Sequence, residues 1–268
     1  MKKAIGVFDS GLGGLTVVKE LMKKLPYEDI VYFGDTARLP YGSKSPHIVT
    51  QFSFENTEFL IKQNIKLLVV ACNTASSVSL IRLEHNFALP IVGVIKPGAS
   101  AAIKATRNKK VGVIGTAGTI ASESYVKALK KIDPSVKIFT QPCPLFVPLA
   151  EEGWIDKNVT RQIAGEYLKS FKKYNIDTLI LGCTHYPLLK SVIARVMGAN
   201  VTLVDSAKAT AETVKDLLIR ENLLARGTAK GEYRFFVSDI NTNFIKIGKR
   251  FLGRDKLLIK QVNLEKQA

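Results

Sequence analysis

Short apolar runs alternate with longer amphipathic stretches along the chain. The apolar runs predict strands near residues 4–8, 30–33, 67–71, 91–95, 111–115, 136–139, 178–182, 201–204 and 234–238. The amphipathic stretches predict helices near residues 14–24, 46–63, 119–131, 157–173, 187–197 and 206–224. Continuously apolar strands separated by helices are typical of βα units around a largely parallel sheet. The pattern therefore predicts an α/β fold.

Two pairs of segments resemble each other within the chain. KKAIGVFDSG at residues 2–11 and KKVGVIGTAG at 109–118 each place an apolar strand between a basic pair and a turn with a hydroxyl side chain. LLVVACNTAS at 67–76 and TLILGCTHYP at 178–187 form the second pair, and the offset between its two members is nearly the same as the offset within the first pair. Because both landmarks shift together, we predict two pseudo-symmetric three-layer α/β domains with mostly parallel sheets.

The second domain is expected to be inserted into the first. The Pro-Gly pair in IKPGAS at residues 95–100 indicates a crossover between them. We predict a discontinuous first domain at residues 1–95 and 205–268, and a second domain at 96–204. Ligands bind outside the carboxyl ends of parallel strands, so we expect the active site in the cleft between the two domains.

The composition is that of a globular protein with a strongly basic surface. Of 268 residues, 46% are hydrophobic and 23% are charged, and the formal net charge is +16. A basic α/β protein that binds nucleic acid is an alternative, but the lysines are scattered and no nucleic-acid-binding motif is evident. No apolar run could span a bilayer, and no secretory signal is visible. We therefore expect a cytoplasmic protein without a membrane or nucleic acid as main partner.

The chain has three cysteines, Cys72, Cys143 and Cys183. This sparse, odd set indicates reduced thiols rather than a disulfide framework. Cys143, within QPCPLF, is predicted to be a buried small hydrophobic residue. Cys72 and Cys183 each follow an apolar strand and precede a polar residue, in matching places of the two halves. Core packing does not explain this repetition.

Polar side chains follow four of the predicted strands, at the edge where ligands bind. They are Asp9 and Ser10, then Cys72, Asn73 and Thr74, then Thr116 and Thr119, and finally Cys183, Thr184 and His185. Each group is expected to open a helix, where free N–H groups suit a carboxylate or phosphate. As alternatives, His185 could satisfy a backbone carbonyl, and plain N-caps are possible at Asp9, Ser10, Thr74 and Thr119.

Several kinds of site are compatible with these residues. Zinc could bind Cys72, Cys183 and His185, but no C-x₂-C pair occurs. GLGGLT at 11–16 lacks the lysine of a phosphate loop, and redox thiol pairs usually lie closer in sequence. Two thiols in matching halves favour proton transfer, in which one removes a proton from a carbon centre and the other delivers one to the opposite face. Asp9, near Cys72, and His185, near Cys183, are candidates to assist these thiols.

Four motifs of the chain closely resemble those of the glutamate racemases, in the aspartate/glutamate racemase superfamily. They are FDSGLGGLTV at residues 8–17, YFGDTARLPYGSKS at 32–45, ACNTAS at 71–76 and GCTHYPLL at 182–189. The resemblance covers residues 5 to about 206 in the expected order. It implies a cofactor-independent, metal-free isomerase, a homodimer in most members, that converts L-glutamate to D-glutamate for peptidoglycan synthesis.

The resemblance also implies roles for individual residues. Cys72 and Cys183 are the acid–base pair. Asp9 contacts the substrate amino group and assists Cys72, while His185 and Glu151 assist Cys183; the second glutamate of AEEG remains an alternative to Glu151. The further residues that it assigns to binding the substrate are Ser10, Tyr41, Gly42, Asn73, Thr74, Thr116, Thr119 and Thr184, together with Asp9 and His185.

Overall fold

Within the described residues, ten strands, eleven α-helices and three short 3₁₀ segments have defined bounds at both ends. The computed structural model describes residues 3–227, 229–240, 247–249, 252–253 and 258–264. The strands are β1 (Ala4–Asp9), β2 (Ile30–Gly34), β3 (Ile65–Val70), β4 (Ile91–Gly93), β5 (Lys110–Gly115), β6 (Lys137–Pro142), β7 (Thr178–Gly182), β8 (Thr202–Asp205), β9 (Tyr233–Val237) and β10 (Ile259–Gln261). The helices are α1 (Leu15–Lys24), α2 (Pro46–Lys62), α3 (Asn73–Val78), α4 (Leu80–Asn86), α5 (Ile95–Ala105), α6 (Ala117–Ala121), α7 (Ser124–Ile132), α8 (Phe146–Glu151), α9 (Asn158–Tyr174), α10 (Lys190–Met197) and α11 (Ser206–Arg220).

The strands form two parallel sheets with the same central arrangement. The first sheet has the order β10-β9-β2-β1-β3-β4, and the second has the order β6-β5-β7-β8. All strand pairs are parallel. In each half the first strand lies between the second and third, and the fourth lies outside the third. The α/β fold with two pseudo-symmetric halves is therefore confirmed, and β9 returns the C-terminal part to the first sheet.

Both faces of the central strands are buried, which explains why β1, β2 and β7 are apolar almost throughout, whereas the edge strand β6 is partly exposed. In β1, Val7 packs on the side of α1 and α11, whereas Phe8 packs on the side of α2 and α4. The second sheet has the same construction. Leu179 packs with α9 and α10, and Ile180 packs with α5 and α7. Each half thus has three layers, with its carboxyl strand ends directed at one edge.

The structure differs from the predicted elements around the crossover. The predicted strand 91–95 ends at Gly93, and IKPGAS, predicted to be punctuation of a crossover, forms the start of α5. Pro97 is tolerated there because the first turn of a helix has no partners for its N–H groups. The predicted helix 119–131 is two helices, α6 and α7, separated at Glu123 with a φ of 55°. Helices α3, α4, α5 and α8 and strand β10 were not predicted.

Helices α5 and α11 connect the two halves. Helix α5 follows the last strand that the first half contributes before the insertion, and it packs against both α7 and α11. The predicted domain limits at residues 95/96 and 204/205 fall near the starts of these two helices and stay a prediction. Among the described residues, no helix has both the length and the apolar character needed to cross a membrane.

Candidate active site

A small cavity lies between the carboxyl ends of the two sheets. Its walls come from both halves and consist of Ser10, Leu39, Pro40, Tyr41, Gly42, Cys72, Asn73, Thr74, Thr116, Val147, Glu151, Cys183, Thr184 and His185. All predicted site residues except Asp9 and Thr119 are among them, and these two lie directly behind the wall. Leu39, Pro40 and Val147 were not identified as site residues, because an apolar side chain in a cavity wall resembles any core residue in sequence.

Cys72 lies between β3 and α3, and it is the N-cap of that helix. The N–H of Ala75 donates to Cys72 Sγ at 3.5 Å, and the thiol donates to Ser10 Oγ at 3.7 Å. Burial and the negative charge of Asp9 raise the pKa of Cys72 to about 12, although the Ala75 and Ser10 contacts act in the opposite direction. Without a bound substrate, Cys72 is therefore a protonated thiol at neutral pH.

Cys183 lies after β7, and its neighbour is an imidazole. Its Sγ lies 3.8 Å from His185 Nδ1, and His185 Nε2 lies 3.1 Å from Glu151 Oε1. Burial by itself would lower the pKa of His185, but the contacts with Cys183 and Glu151 outweigh it and raise that pKa well above its usual value. The structure thus places a positive charge beside Cys183 and brings Glu151 to His185, while Glu152 is exposed.

Asp9 joins the two halves below the cavity. It is fully buried, its Oδ2 accepts from the N–H of Gly11 at 3.0 Å, and its Oδ1 accepts from Thr184 Oγ1 at 3.2 Å. Burial raises the pKa of Asp9, although the charge of His185 and these hydrogen bonds partly oppose it. Asp9 therefore interacts electrostatically with a residue of each half. Its negative charge raises the pKa of Cys72, and the positive charge of His185 lowers the pKa of Asp9 itself.

Three threonines form a cluster of hydroxyl groups between the halves. Thr74 Oγ1 lies 2.9 Å from Thr116 Oγ1 and 3.2 Å from Thr119 Oγ1, and Thr116 Oγ1 donates to Thr119 Oγ1 at 3.0 Å. Thr116 is also the N-cap of α6, where it accepts from the N–H of Thr119 at 3.2 Å. The cluster gives one wall of the cavity several rotatable hydroxyl donors.

Only two of the four groups at strand ends open a helix as expected. Cys72 and Thr116 are N-caps, whereas α1 begins five residues after Ser10, and Cys183 leads into the 3₁₀ segment Tyr186–Leu189. The capping alternative is wrong for all four residues to which it was applied. The N-caps of the helices that follow are Gly14, Cys72 and Thr116, not Asp9, Ser10, Thr74 or Thr119.

Two glycines in the motifs allow the halves to approach closely. A Cβ at Gly13 would lie 2.7 Å from Thr184 Cβ, and a Cβ at Gly42 would lie 2.7 Å from Thr116 Cγ2. Both distances are shorter than a non-bonded contact permits, so any larger residue would push the halves apart at the cavity. This requirement for space gives a physical reason for glycine in the GLGG and PYG sequences.

Tyr41 lines the cavity, but its hydroxyl group forms hydrogen bonds with residues outside the cavity. The phenol donates to Asp35 and accepts from Asn56 Nδ2 at 3.0 Å, and Arg38 Nε donates to the same carboxylate at 2.7 Å. This network fixes the loop that carries Gly42. A contact of Tyr41 with a substrate would therefore involve its backbone or ring rather than the hydroxyl.

Metal and disulfide chemistry have little structural basis in the part of the chain that the structure describes. There, no three His, Cys, Asp or Glu side chains gather in a way that could hold a metal ion. Cys72, Cys143 and Cys183 are all free and buried. Cys143 Sγ donates to the Gln141 carbonyl at 3.7 Å, outside the cavity. The roles of the individual site residues, and the absence of a metal or cofactor, stay predictions.

Comparison with known proteins agrees with this geometry. Residues 16–214 match the model of the Asp/Glu/hydantoin racemase family. A glutamate racemase of Geobacter metallireducens is 54% identical over 98% of this chain and 97% of its own length. Crystal structures of glutamate racemases from Bacillus anthracis (TM-score 0.94, 43% identity, 98% of each chain) and from Francisella tularensis with D-glutamate (0.92, 41%, 99% of each chain) have the same fold. The chain therefore belongs to the Asp/Glu/hydantoin racemase family, among its glutamate racemases.

Proposed function

We propose that this protein interconverts L- and D-glutamate by proton transfer at Cα between Cys72 and Cys183. The observation that carries the proposal is the placement of two buried thiols, from matching strand ends of two similar halves, on one cavity. Substrate and product are mirror images at Cα, so each direction needs a base on one face and an acid on the other. Membership among the glutamate racemases supports glutamate as the substrate.

The proton balance requires one thiolate and one thiol. The thiolate removes the Cα proton and becomes a thiol, and the electron pair remains on the carbanion. The opposite thiol then gives its proton to the other face and becomes a thiolate. With Cys72 protonated and Cys183 beside a cationic His185, the resting enzyme is suited to removal of the proton by Cys183. The reverse direction uses the other protonation state.

The cavity offers donors for the substrate carboxylates and a partner for its ammonium group. The hydroxyls of Ser10, Thr74, Thr116 and Thr184 and the amide of Asn73 are on its walls. Asp9 is the carboxylate behind them, and a substrate ammonium there would offset the charge that raises the pKa of Cys72. Binding of glutamate would in this way make ionisation of Cys72 easier.

The reaction proceeds without pyridoxal phosphate in this proposal. That cofactor is held by a lysine as a Schiff base, and no lysine is among the described residues that line the cavity. The family resemblance supports the same conclusion. It also supports further parts of the proposal: a homodimer in the cytoplasm that supplies D-glutamate for peptidoglycan, the polymer of the cell wall that maintains cell shape.

Circular dichroism of the amino acid tests the proposal directly. Purified, dialysed protein should abolish the signal of L-glutamate and, separately, that of D-glutamate, and both reactions should end at the racemic mixture. L-aspartate, assayed in parallel, measures the preference between the two diacids. A steady signal for both enantiomers of glutamate, from protein with a native circular dichroism spectrum, would contradict the proposal.

A further inference from the structure

A hydrogen bond between the two halves fixes the carboxamide of Asn73. Asn73 is 2% exposed and lines the cavity, and its Oδ1 accepts from the hydroxyl of Tyr125 at 2.7 Å. Its Nδ2, although buried, has no hydrogen-bond partner within the described residues. A buried amide donor without a partner costs free energy unless a ligand supplies the acceptor.

Tyr125 is enclosed by α5 and by Ser206 at the start of α11. Tyr125 is 2% exposed, and the Ser206 side chain lies close enough to its phenol to oppose the rise of the phenol's pKa. A Cβ at Gly98 of α5 would lie 3.2 Å from the Tyr125 hydroxyl, so α5 leaves the phenol little room to move. Burial raises the pKa of Tyr125, and the phenol remains a donor throughout the neutral range.

The direction of the hydrogen bond between Tyr125 and Asn73 determines which end of the amide faces the cavity. The phenol has a single hydrogen, and Tyr125 donates it to Oδ1 of Asn73. An amide that accepts from Tyr125 through Oδ1 must present its NH₂ group on the other side. Without the phenol hydrogen the carboxamide could rotate, and its oxygen would then repel an anionic ligand.

We infer that Tyr125 is a positioning residue that holds Nδ2 of Asn73 towards the cavity, where it donates to a carboxylate oxygen of the substrate. The inference rests on the proposed racemisation of glutamate. It assigns to α7, which contributes no residue to the cavity wall, a part in recognition of the anion. It also makes binding of the substrate depend on a contact between the two halves, because Asn73 lies in α3 of the first half and Tyr125 in α7 of the second.

The variant Tyr125→Phe keeps the buried ring and removes the donor. We expect KM to rise about tenfold for both enantiomers, since a hydrogen bond to the charged carboxylate is weakened or lost when the amide is no longer fixed. The value of kcat should fall less than threefold, because the donor contacts the carboxylate in the ground state and in the transition state alike. A purely structural role would lower the melting temperature without this separation of KM from kcat.

Ser124→Ala is the matched control. Ser124 precedes Tyr125 in α7, and its Oγ donates to the carbonyl of Ser77 at 2.9 Å, so it forms another hydrogen bond between α7 and α3 without touching Asn73. Its KM should equal that of the wild type. In the background of Asn73→Ala, adding Tyr125→Phe should raise KM no further, since the phenol acts through the amide.

The outcomes separate this inference from the proposed function. Wild-type racemisation together with an unchanged KM in folded Tyr125→Phe would overturn the inference alone. So would an equal rise of KM in Ser124→Ala, or additive effects of Tyr125→Phe and Asn73→Ala. A wild-type protein that neither racemises nor binds D-glutamate in calorimetry would overturn the proposed function, and the inference with it.

Discussion

The two thiols follow corresponding strands, β3 and β7, yet their surroundings differ in charge. Cys72 has a hydroxyl, a backbone N–H and the nearby carboxylate of Asp9, and its pKa is raised to about 12. Cys183 has an imidazole, and the pKa of His185 is raised well above its usual value by that contact and by Glu151. The central strands of the two halves are thus arranged alike, whereas the charged groups around the two thiols differ.

This difference has a consequence for a reaction whose substrate and product are mirror images at Cα. Two halves with different sequences cannot give mirror-image environments, so the two protonation states of the free enzyme differ in free energy. The structure disfavours the thiolate of Cys72, because burial and Asp9 raise its pKa. Binding of substrate should reduce the difference, because an ammonium group beside Asp9 offsets the charge that disfavours the Cys72 thiolate.

The largest expected effect comes from removing either thiol. Cys72→Ser and Cys183→Ser should each lower kcat for racemisation by at least about 10³-fold, because a serine hydroxyl is too weak an acid to exchange a proton with Cα near neutral pH. The assay is chiral chromatography of glutamate, with circular dichroism of the protein to verify the fold.

Cys143→Ser is the matched control for these variants. Cys143 is buried and bonded to the Gln141 carbonyl outside the cavity, so its substitution should cost some stability and leave kcat within about threefold of the wild type. An active Cys72→Ser protein, or an inactive but folded Cys143→Ser protein, would show that the thiols are assigned wrongly.

A smaller effect should appear in the reactivity of the two thiols. Iodoacetamide reacts with thiolates, and Cys72 and Cys183 are 4% and 6% exposed, so access to them is similar. At pH 7.5 we expect Cys183 to be modified at least about tenfold faster than Cys72, since Cys72 is protonated and Cys183 lies beside a cation. Peptide mass spectrometry over time measures both rates, and glutamate should protect both thiols.

His185→Gln sharpens this comparison. It removes the positive charge beside Cys183 and leaves the side chains in contact with Cys72 in place, so the two rates of modification should move closer together. Equal rates in the wild-type protein, or faster modification of Cys72, would contradict the electrostatic difference between the halves.

The smallest expected effect is on alkaline stability. The pKa of Cys72 rises from 9.0 to about 12 on folding, so the stability present below pH 9 is lost as pH rises from 9 towards 12, where only the unfolded chain ionises this thiol. Between pH 8 and 10.5, the wild type should lose about 2 kcal/mol more unfolding free energy than Cys72→Ser, whose serine does not titrate.

Urea unfolding curves of the two proteins across this range measure the difference. All other titrating groups are common to both proteins and cancel in the comparison. A constant difference between the two unfolding free energies from pH 8 to 10.5 would mean that Cys72 ionises as easily in the folded protein as in the unfolded chain.

Strands and strand-end residues were predictable because the sheets are parallel and buried on both faces. The predicted strand 178–182 coincides with β7, and the polar residues after β3 and β7 line the cavity. Helix α3 was missed because six mostly small polar residues show no amphipathic period. The start of α5 was misinterpreted because Pro97 and Gly98, typical of turns, are compatible with a first helical turn that packs closely.

Contacts between the halves could not be read from the sequence. Thr184 is 175 positions from Asp9, and Tyr125 is 52 positions from Asn73. No local pattern pairs such residues, because each bond depends on how the two halves pack against each other. The resemblance did name Glu151, and the structure brings its side chain, rather than that of the adjacent glutamate, to His185; its role stays a prediction.

Transfer of the Cα proton in deuterated water tests the two-thiol account most directly. The thiol that delivers a proton exchanges with the solvent before substrate binds, so the first D-glutamate formed from L-glutamate should carry deuterium at Cα, while unreacted L-glutamate stays almost unlabelled. The same should hold from D-glutamate, with the thiols exchanged. Chiral separation with mass spectrometry at low conversion gives both labels. Unlabelled early product in either direction would contradict proton transfer between Cys72 and Cys183.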